Sequence, residues 1–287
     1  MYCEFYGFSE KPFAITPSPA FLYLSGAHRE AFIRLMYGVE TRAGFIVMTG
    51  EVGSGKTTLL RALLSRLDEQ KYRSGLIFNS FLSGDQLLAA ICDEFRAEAP
   101  EKNNYAFLEA LNRFLLKQHE SGRIVTLIID EAQNLKPEAL EQLRMISNLE
   151  TERDKLIQII LAGQPELDDM LERHDLRQLN QRITVRCRLV PLDLSETGEY
   201  IQHRLKTAGC RIPGFFPRDA IKKIHRFSSG VPRLINVVCE QALVMAWTRE
   251  SLTVDAYIIG QVIATMRSAQ KKRSWLNRAI SWFGAGK

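Results

Sequence analysis

Two spacings of apolar residues alternate along the chain. In "AHREAFIRLMYGVETR" (27–42) they recur three and four apart, the period of a helix with one buried face. "GFIVMTG" (44–50) follows as a short, nearly unbroken apolar run closed by glycine, which predicts a buried strand. "TTLLRALLSRLDEQ" returns to helical spacing, with apolar residues at 59, 60, 63, 64 and 67. "SGLIFNSF" (74–81) predicts a second strand, and "GDQLLAAICDEFRAE" and "YAFLEALNRFLLKQHESG" predict helices. "RIVTLIIDE" predicts a third strand, "PEALEQLRMISNL" a helix and "KLIQIILAGQPEL" a fourth strand. "ELDDMLERHDLRQLNQRI" (166–183) reads as helical throughout, and "TVRCRLVPL" alternates like a last strand.

Strands separated by helices imply a parallel sheet covered on both faces, a doubly wound α/β architecture. After Pro191 the strands cease, and four helical segments follow within 195–267. The expected division is an α/β domain over 1–192, a small all-helical domain over 193–267 and a tail over 268–287. Residues 1–25 interleave Pro12, Pro17 and Pro19 with Phe5, Phe8, Phe13 and Phe21. That stretch is too apolar for a disordered tail, and it is expected to lie irregularly across a groove of the main domain.

The composition is that of a soluble globular chain, 46% hydrophobic and 25% charged over 287 residues. A net charge of +5 permits an anionic partner without demanding one. The cysteines at 3, 92, 187, 210 and 239 are odd in number and never in CxxC spacing, which argues against a disulfide framework or a zinc site and fits a reducing compartment. No apolar run approaches the roughly 18 residues of a membrane span, and "MYCEFYGF" lacks a signal-peptide pattern. A cytoplasmic location is the expectation.

The chemistry concentrates where strands end. "GEVGSGKTT" (50–58), between a predicted strand and a predicted helix, matches the phosphate-binding pattern G-x-x-x-x-G-K-[ST] in its confirming context. Gly50, Gly53 and Gly55 allow the backbone N–H groups of Gly50, Glu51, Val52, Gly53, Ser54, Gly55, Lys56, Thr57 and Thr58 to curl around phosphate oxygens. Lys56 is placed to reach the β and γ phosphates, and the Thr57 hydroxyl to bind Mg²⁺. In "VTLIIDEAQ", apolar strand residues deliver Asp130 and Glu131 to the carboxyl edge of the sheet, where ligands of such sheets bind. Asp130 would hold the Mg²⁺ through water, and Glu131 would orient and polarise the attacking water. One residue stands out in the helical region. Arg233, in "GVPRLINVVC", is a cation in a first helical turn, where the macrodipole favours anions.

Together these motifs resemble the AAA+ ATPases, and the resemblance covers about residues 1–267. It implies a P-loop NTPase sheet with a helical lid, and ATP·Mg²⁺ held between them. It also implies that Gln164 in "IILAGQP" is the first sensor of the γ-phosphate. Arg182 in "LNQRITV", with Arg177 as the alternate, would reach a neighbouring protomer's nucleotide, so a homo-oligomer is expected. Arg233 would be the second sensor, its charge compensated by phosphate. Asn79, ending "LIFN", resembles the polar residue that restrains the catalytic glutamate in some relatives; a plain strand-end asparagine reads equally well.

Within that superfamily, "FYGFSEKPFAITPSPAFLYLSGAHREAFIRLMYGV", "LIIDEAQNL" and "GVPRLINVVC" resemble the ExeA-like (general secretion pathway protein A) family. Its short members, such as that of the mannose-sensitive haemagglutinin pilus system, lack the membrane helix and periplasmic domain of the longer ones. The resemblance implies coupling of nucleotide state to assembly of a secretion or type IV (MSHA-like) pilus machine, with an inner-membrane assembly protein as partner. "KKRSWLNRAISWFGAGK" (271–287) gathers Trp275, Leu276, Ala279, Ile280, Trp282 and Phe283 on one helical side, suiting either peripheral contact with an anionic membrane or docking on protein. A DNA-associated regulator like the transposition ATPases is the rival expectation, supported by the locally basic "RHDLRQLNQR" and "RDAIKKIHR". A nucleotide-gated scaffold with negligible turnover is a third.

Overall fold

The structure, a computed structural model, describes residues 2–14, 19–78, 81–152 and 154–268. The predicted restraint residue Asn79 and the predicted amphipathic stretch 271–287 lie outside them. The chain divides into two compact units. One is Leu24–Val190; the other joins residues up to Tyr23 with those from Pro191 onward.

The first unit is built on five parallel strands, β1 (Phe45–Gly50), β2 (Tyr72–Ile77), β3 (Ile124–Ile129), β4 (Ile157–Gly163) and β5 (Ile183–Leu189), in the order β2-β3-β4-β1-β5. Strand alternation splits the core between the two faces. Phe45 and Val47 of β1, Val125 and Leu127 of β3, and Ile157 and Ile159 of β4 point to one cluster. Ile46, Met48, Ile128, Ile160 and Ala162 point to the other. The first face is covered by α4 (Gly84–Phe95), α5 (Asn104–Glu120) and α6 (Pro137–Ile146); the second by α2 (Gly26–Glu40) and α3 (Lys56–Arg66). Every residue of β1, β3 and β4 is buried, as two-sided cover requires.

Three expectations about elements change. The strand expected over 74–81 runs Tyr72–Ile77, because its register is set by pairing from Tyr72↔Ile124 to Ile77↔Ile129. As an edge strand it is guarded: the Leu76 N–H donates to Glu94 Oε1 of α4 at 2.9 Å, which occupies a donor that another chain would otherwise pair with. The single helix expected over 166–183 is broken into α7 (Glu166–Leu171), a 3₁₀ turn His174–Leu176 and α8 (Arg177–Asn180). Its buried leucines fall at 167, 171, 176 and 179. The five-residue step between 171 and 176 is out of phase with a 3.6-residue period, so the chain must kink to bury both pairs.

The third change concerns the N-terminal segment, which belongs to the helical unit and not to the α/β unit, as its composition had suggested. That unit comprises α1 (Tyr2–Tyr6), α9 (Leu194–Thr207), α10 (Arg218–Ser228), α11 (Pro232–Thr248) and a helix, α12, described over 256–268. Tyr2, Tyr6, Phe8, Phe13 and Phe21 are buried with Ile201, Phe215, Phe216, Ile235 and Leu243. The Tyr6 ring meets Phe215 edge-on at 5.0 Å, and Phe13 meets Phe216 at 5.9 Å. Buried Arg204 of α9 needs no carboxylate. Its guanidinium donates to the carbonyls of Pro12 (2.5 Å) and Ala14 (3.2 Å) and the Tyr200 hydroxyl (2.8 Å), and stacks over Phe21. A helical region of fewer than about 100 residues has little core of its own, and the aromatic segment adds to it. Along the chain the division between the two units falls between Val190 and Pro191. Just beyond it, Leu192 N–H donates to Gly230 O, and a Cβ on Gly230 (φ +75°) would stand 1.9 Å from the Leu192 carbonyl oxygen, so the turn before α11 requires glycine. Among the described residues no helix is long and apolar enough to cross a membrane.

Because Phe13 is fully buried against helical-unit residues, Phe13→Ala is expected to cost about 3–5 kcal/mol in that unit. Thermal unfolding followed by tryptophan fluorescence checks this through Trp247 of α11; an unchanged midpoint contradicts the assignment.

Candidate functional site: a phosphate-binding loop

The site lies at the carboxyl edge of the sheet. β1 ends at Gly50, level with Leu189 at the end of β5, and Thr49 pairs with Gly163 at the end of β4. The chain leaves β1 through the glycine loop and enters α3 at Lys56. Gly55 is its N-cap, with φ +104°, a left-handed conformation open to glycine at little cost. Ser54 N–H closes a turn onto Glu51 O at 3.1 Å. The backbone N–H groups of Gly53, Gly55, Lys56 and Thr57 donate to no acceptor among the described residues. Four free donors at the positive end of an 11-residue helix form an anion cradle.

Lys56 is buried, and its ammonium donates to the carbonyls of Gly50 (2.7 Å) and Glu51 (3.1 Å). Burial lowers its pKa below the ordinary lysine value, while the carboxylates of Glu131, Asp130, Glu51 and Glu166 pull the other way. Next along the helix, Thr57 Oγ1 donates to Asp130 Oδ2 at 2.6 Å. Asp130 is itself buried, and its second oxygen accepts the Glu131 N–H at 2.9 Å. A hydroxyl and a carboxylate side by side are the hard oxygen donors that a magnesium ion takes. Among the described residues no cluster of three or more His, Cys, Asp or Glu offers an alternative metal site.

Glu131 has left-handed backbone (φ +53°) and opens a 3₁₀ turn Ala132–Asn134. Its Oε2 accepts two amide hydrogen bonds, from Gln133 Nε2 (2.7 Å) and Gln164 Nε2 (3.2 Å). Gln133 Oε1 in turn accepts the backbone N–H of Gln164 at 3.0 Å. Burial pushes the Glu131 pKa up, but the bonds from Gln133 and Gln164 and the Lys56 charge outweigh it, and the net value lies below the ordinary glutamate range.

The structure thus brings together the residues predicted at 50–58, 130, 131 and 164. It does not bring Arg182 to them. That residue precedes β5, at the amino edge of the sheet, about 20 Å from the carboxyl edge for a six-residue strand. Its guanidinium is bonded to Ser147 Oγ (3.2 Å) and Asn148 Oδ1 just past α6. Arg177 of α8 is exposed, and its side chain has no hydrogen-bond or ion-pair partner among the described residues. Arg233, in the first turn of α11, is likewise exposed and unpaired among them.

Two contributors escaped sequence reading. The signal for Gln133 is its place two residues after the acidic pair, near enough to bond Glu131. His28 sits beneath the loop, with Nε2 2.8 Å from Ser54 O and Nδ1 2.8 Å from Ser25 Oγ. Its signal was a polar residue on the buried stripe of α2, in line with Ala31, Leu35 and Val39.

A family model described as an AAA domain matches residues 39–171. The General secretion pathway protein A of Aeromonas hydrophila is 46% identical over 252 residues, which are 88% of this chain and 46% of that protein. The chain therefore spans about half the length of the curated relative it matches. Among solved structures, the ORC2 protein of Aeropyrum pernix, in ADPNP-ADP complexes, is 17% identical with a TM-score of 0.67, over 90% of this chain and 72% of that one. Cdc6p from Pyrobaculum aerophilum is 17% identical with a TM-score of 0.64, over 85% and 67%. The Thermotoga maritima RuvB Holliday junction branch migration motor is 17% identical with a TM-score of 0.59, over 86% and 73%. At such identities the structures speak for the fold alone, and that fold is the AAA+ P-loop NTPase sheet followed by helices. With the fold and the extended sequence match in agreement, the chain belongs to the ExeA-like (general secretion pathway protein A) family of AAA+ proteins.

Proposed function

We propose that the chain binds ATP with Mg²⁺, hydrolyses it, and couples its nucleotide state to assembly of a secretion or type IV pilus machine. The carrying observation is the 2.6 Å bond between Thr57 and Asp130, flanked by buried Lys56 and by Glu131. A strand-end carboxylate, a hydroxyl, a cation and a second carboxylate converge at one set of free N–H donors, which is what phosphoryl transfer requires. The secretion role rests on the relative's name, the pilus alternative on the sequence resemblance alone, and the nucleotide on this fold's neighbour solved with ADPNP and ADP.

In the reaction, the cradle N–H groups and Lys56 hold the β and γ phosphates, Lys56 exchanging its Gly50 and Glu51 carbonyls for phosphate oxygens. A magnesium ion held by Thr57 and Asp130 would neutralise charge on the β and γ oxygens. Glu131 orients a water toward the γ-phosphorus. The water oxygen forms the new P–O bond, the bridging bond to ADP breaks, and the water proton passes through the carboxylate to solvent or phosphate. Gln164 and Gln133 fix the orientation of Glu131 and keep it ionised, as a base must be. Exposed Arg177, or Arg182 once released from Asn148, supplies a cation to a neighbouring protomer's site, and Arg233 senses phosphate as a second cation. The partners are other copies of this chain and an inner-membrane assembly protein, which places the chain at the cytoplasmic face of that membrane.

Lys56→Ala is expected to abolish ATP binding in calorimetry, whereas Glu131→Gln keeps binding and loses about 10²–10⁴-fold in steady-state turnover. Retained binding in the first variant sinks the nucleotide reading; retained turnover in the second removes Glu131 from the chemistry. A pH experiment addresses Gln133. A glutamate whose folded pKa is depressed contributes stability that is full above its unfolded value of about 4.3 and is lost as pH falls through the folded value. Gln133→Ala removes one bond that lowers it. The wild-type advantage in urea midpoint is therefore expected to be full at pH 7 and to shrink by pH 3; a gap constant over that range means that Gln133 does not act on the Glu131 charge.

A further inference from the structure

His28 is a buried imidazole that the reaction above does not use. It stands in the first turn of α2, capped by Ser25, whose side chain is also buried. An imidazole so enclosed must satisfy both ring nitrogens. Nε2 lies 2.8 Å from the Ser54 carbonyl oxygen, which can only accept, so the proton is on Nε2. In the Nε2–H tautomer, Nδ1 accepts from the Ser25 hydroxyl at 2.8 Å, while the same hydroxyl oxygen accepts the His28 backbone N–H at 3.4 Å.

The bond falls on a critical peptide. Ser54 C=O and Gly55 N–H belong to one planar trans unit and point in opposite directions. With the carbonyl drawn toward the histidine, the Gly55 N–H is turned away from it, and it is one of the donors without an acceptor among the described residues. The ring also occupies the place of a side chain, since a Cβ on Gly55 would stand 3.1 Å from His28 Nε2. Glycine at 55 leaves that peptide free to rotate, because glycine accepts φ of either sign. A rotated peptide would present a carbonyl to the anion instead of an N–H.

We propose that His28 is the positioning residue of the phosphate loop: it holds the Ser54 carbonyl down and so fixes the Gly55 N–H toward the bound phosphate, with Ser25 setting its tautomer. The inference rests on the nucleotide reading of this loop and adds a part from outside the motif. His28 touches neither substrate nor reacting atoms; it acts on ground-state affinity for the phosphate chain.

The test measures ADP and ATP affinity by calorimetry on the full chain, alongside kcat and KM. His28→Ala is expected to weaken ADP and ATP alike by roughly tenfold, the worth of one net hydrogen bond. KM should rise in step and kcat at saturating ATP should stay within about twofold. His28→Gln, whose amide N–H can reach the same carbonyl, should recover most of the affinity. Ser25→Ala, which keeps the ring and frees its tautomer, should show a smaller loss in the same direction, and it carries the test if His28→Ala does not fold. Unchanged affinity in His28→Ala or Ser25→Ala overturns the proposal. A loss in His28→Ala that His28→Gln does not recover, with a matching fall in the nucleotide-free melting midpoint, also overturns it by reducing His28 to packing. Failure of the underlying reading looks different: the wild-type chain itself would bind neither nucleotide.

Discussion

Thr57 and Asp130 are 73 residues apart in sequence, and a 2.6 Å hydrogen bond joins them. The rest of the site depends on that approach. It is possible only because β1 and β3 run parallel on either side of β4, so that both strands release their chains at the same edge. In an antiparallel arrangement the loop and the carboxylate would leave at opposite ends of the sheet, about 20 Å apart. The apolar strands thus serve the chemistry by fixing where a few polar groups emerge.

Those groups form two layers with different tasks. Above, Lys56 rests on backbone carbonyls of its own loop, an arrangement that an arriving anion can exchange for its own oxygens. Below and beside it, contacts are directional side-chain bonds. Gln133 spends its carbonyl on the Gln164 N–H and its amide on Glu131, so the ends of β3 and β4 are tied through one side chain. His28 does the same for the loop, spending one nitrogen on Ser25 and the other on Ser54. A cradle for phosphate works when its donors are oriented before the ligand arrives, since orientation then costs nothing at binding.

The helical unit illustrates a different constraint. Its helices share one core with aromatic residues from the start of the chain. Arg204 ties the segment to α9 with directional bonds: its buried guanidinium donates to the backbone carbonyls of Pro12 and Ala14. The described residues up to Tyr23 thus pack with those from Pro191 to 268, although 167 residues lie between.

The sequence alone determined what local periodicity and local motifs carry. Predominantly apolar runs at 45–48, 124–129 and 156–162, each broken by at most one polar residue, specified buried parallel strands, because a half-exposed strand alternates instead. The spacing of Gly50, Gly53, Gly55, Lys56 and Thr57 specified a glycine loop running from a strand into a helix, because such a turn is a short-range object. Asp130 and Glu131 were legible from their place after such a run. The tertiary structure decided whatever depends on residues distant in sequence: that the N-terminal aromatics join the helical unit, that the 166–183 stretch breaks to bury two leucine pairs, that Gln133 reaches Gln164, and that His28 reaches Ser54. A buried histidine or glutamine shows in sequence only as a polar residue out of pattern. Which group satisfies it is a matter of packing in three dimensions, since hydrogen bonding is blind to separation along the chain and sensitive to tenths of an ångström in space.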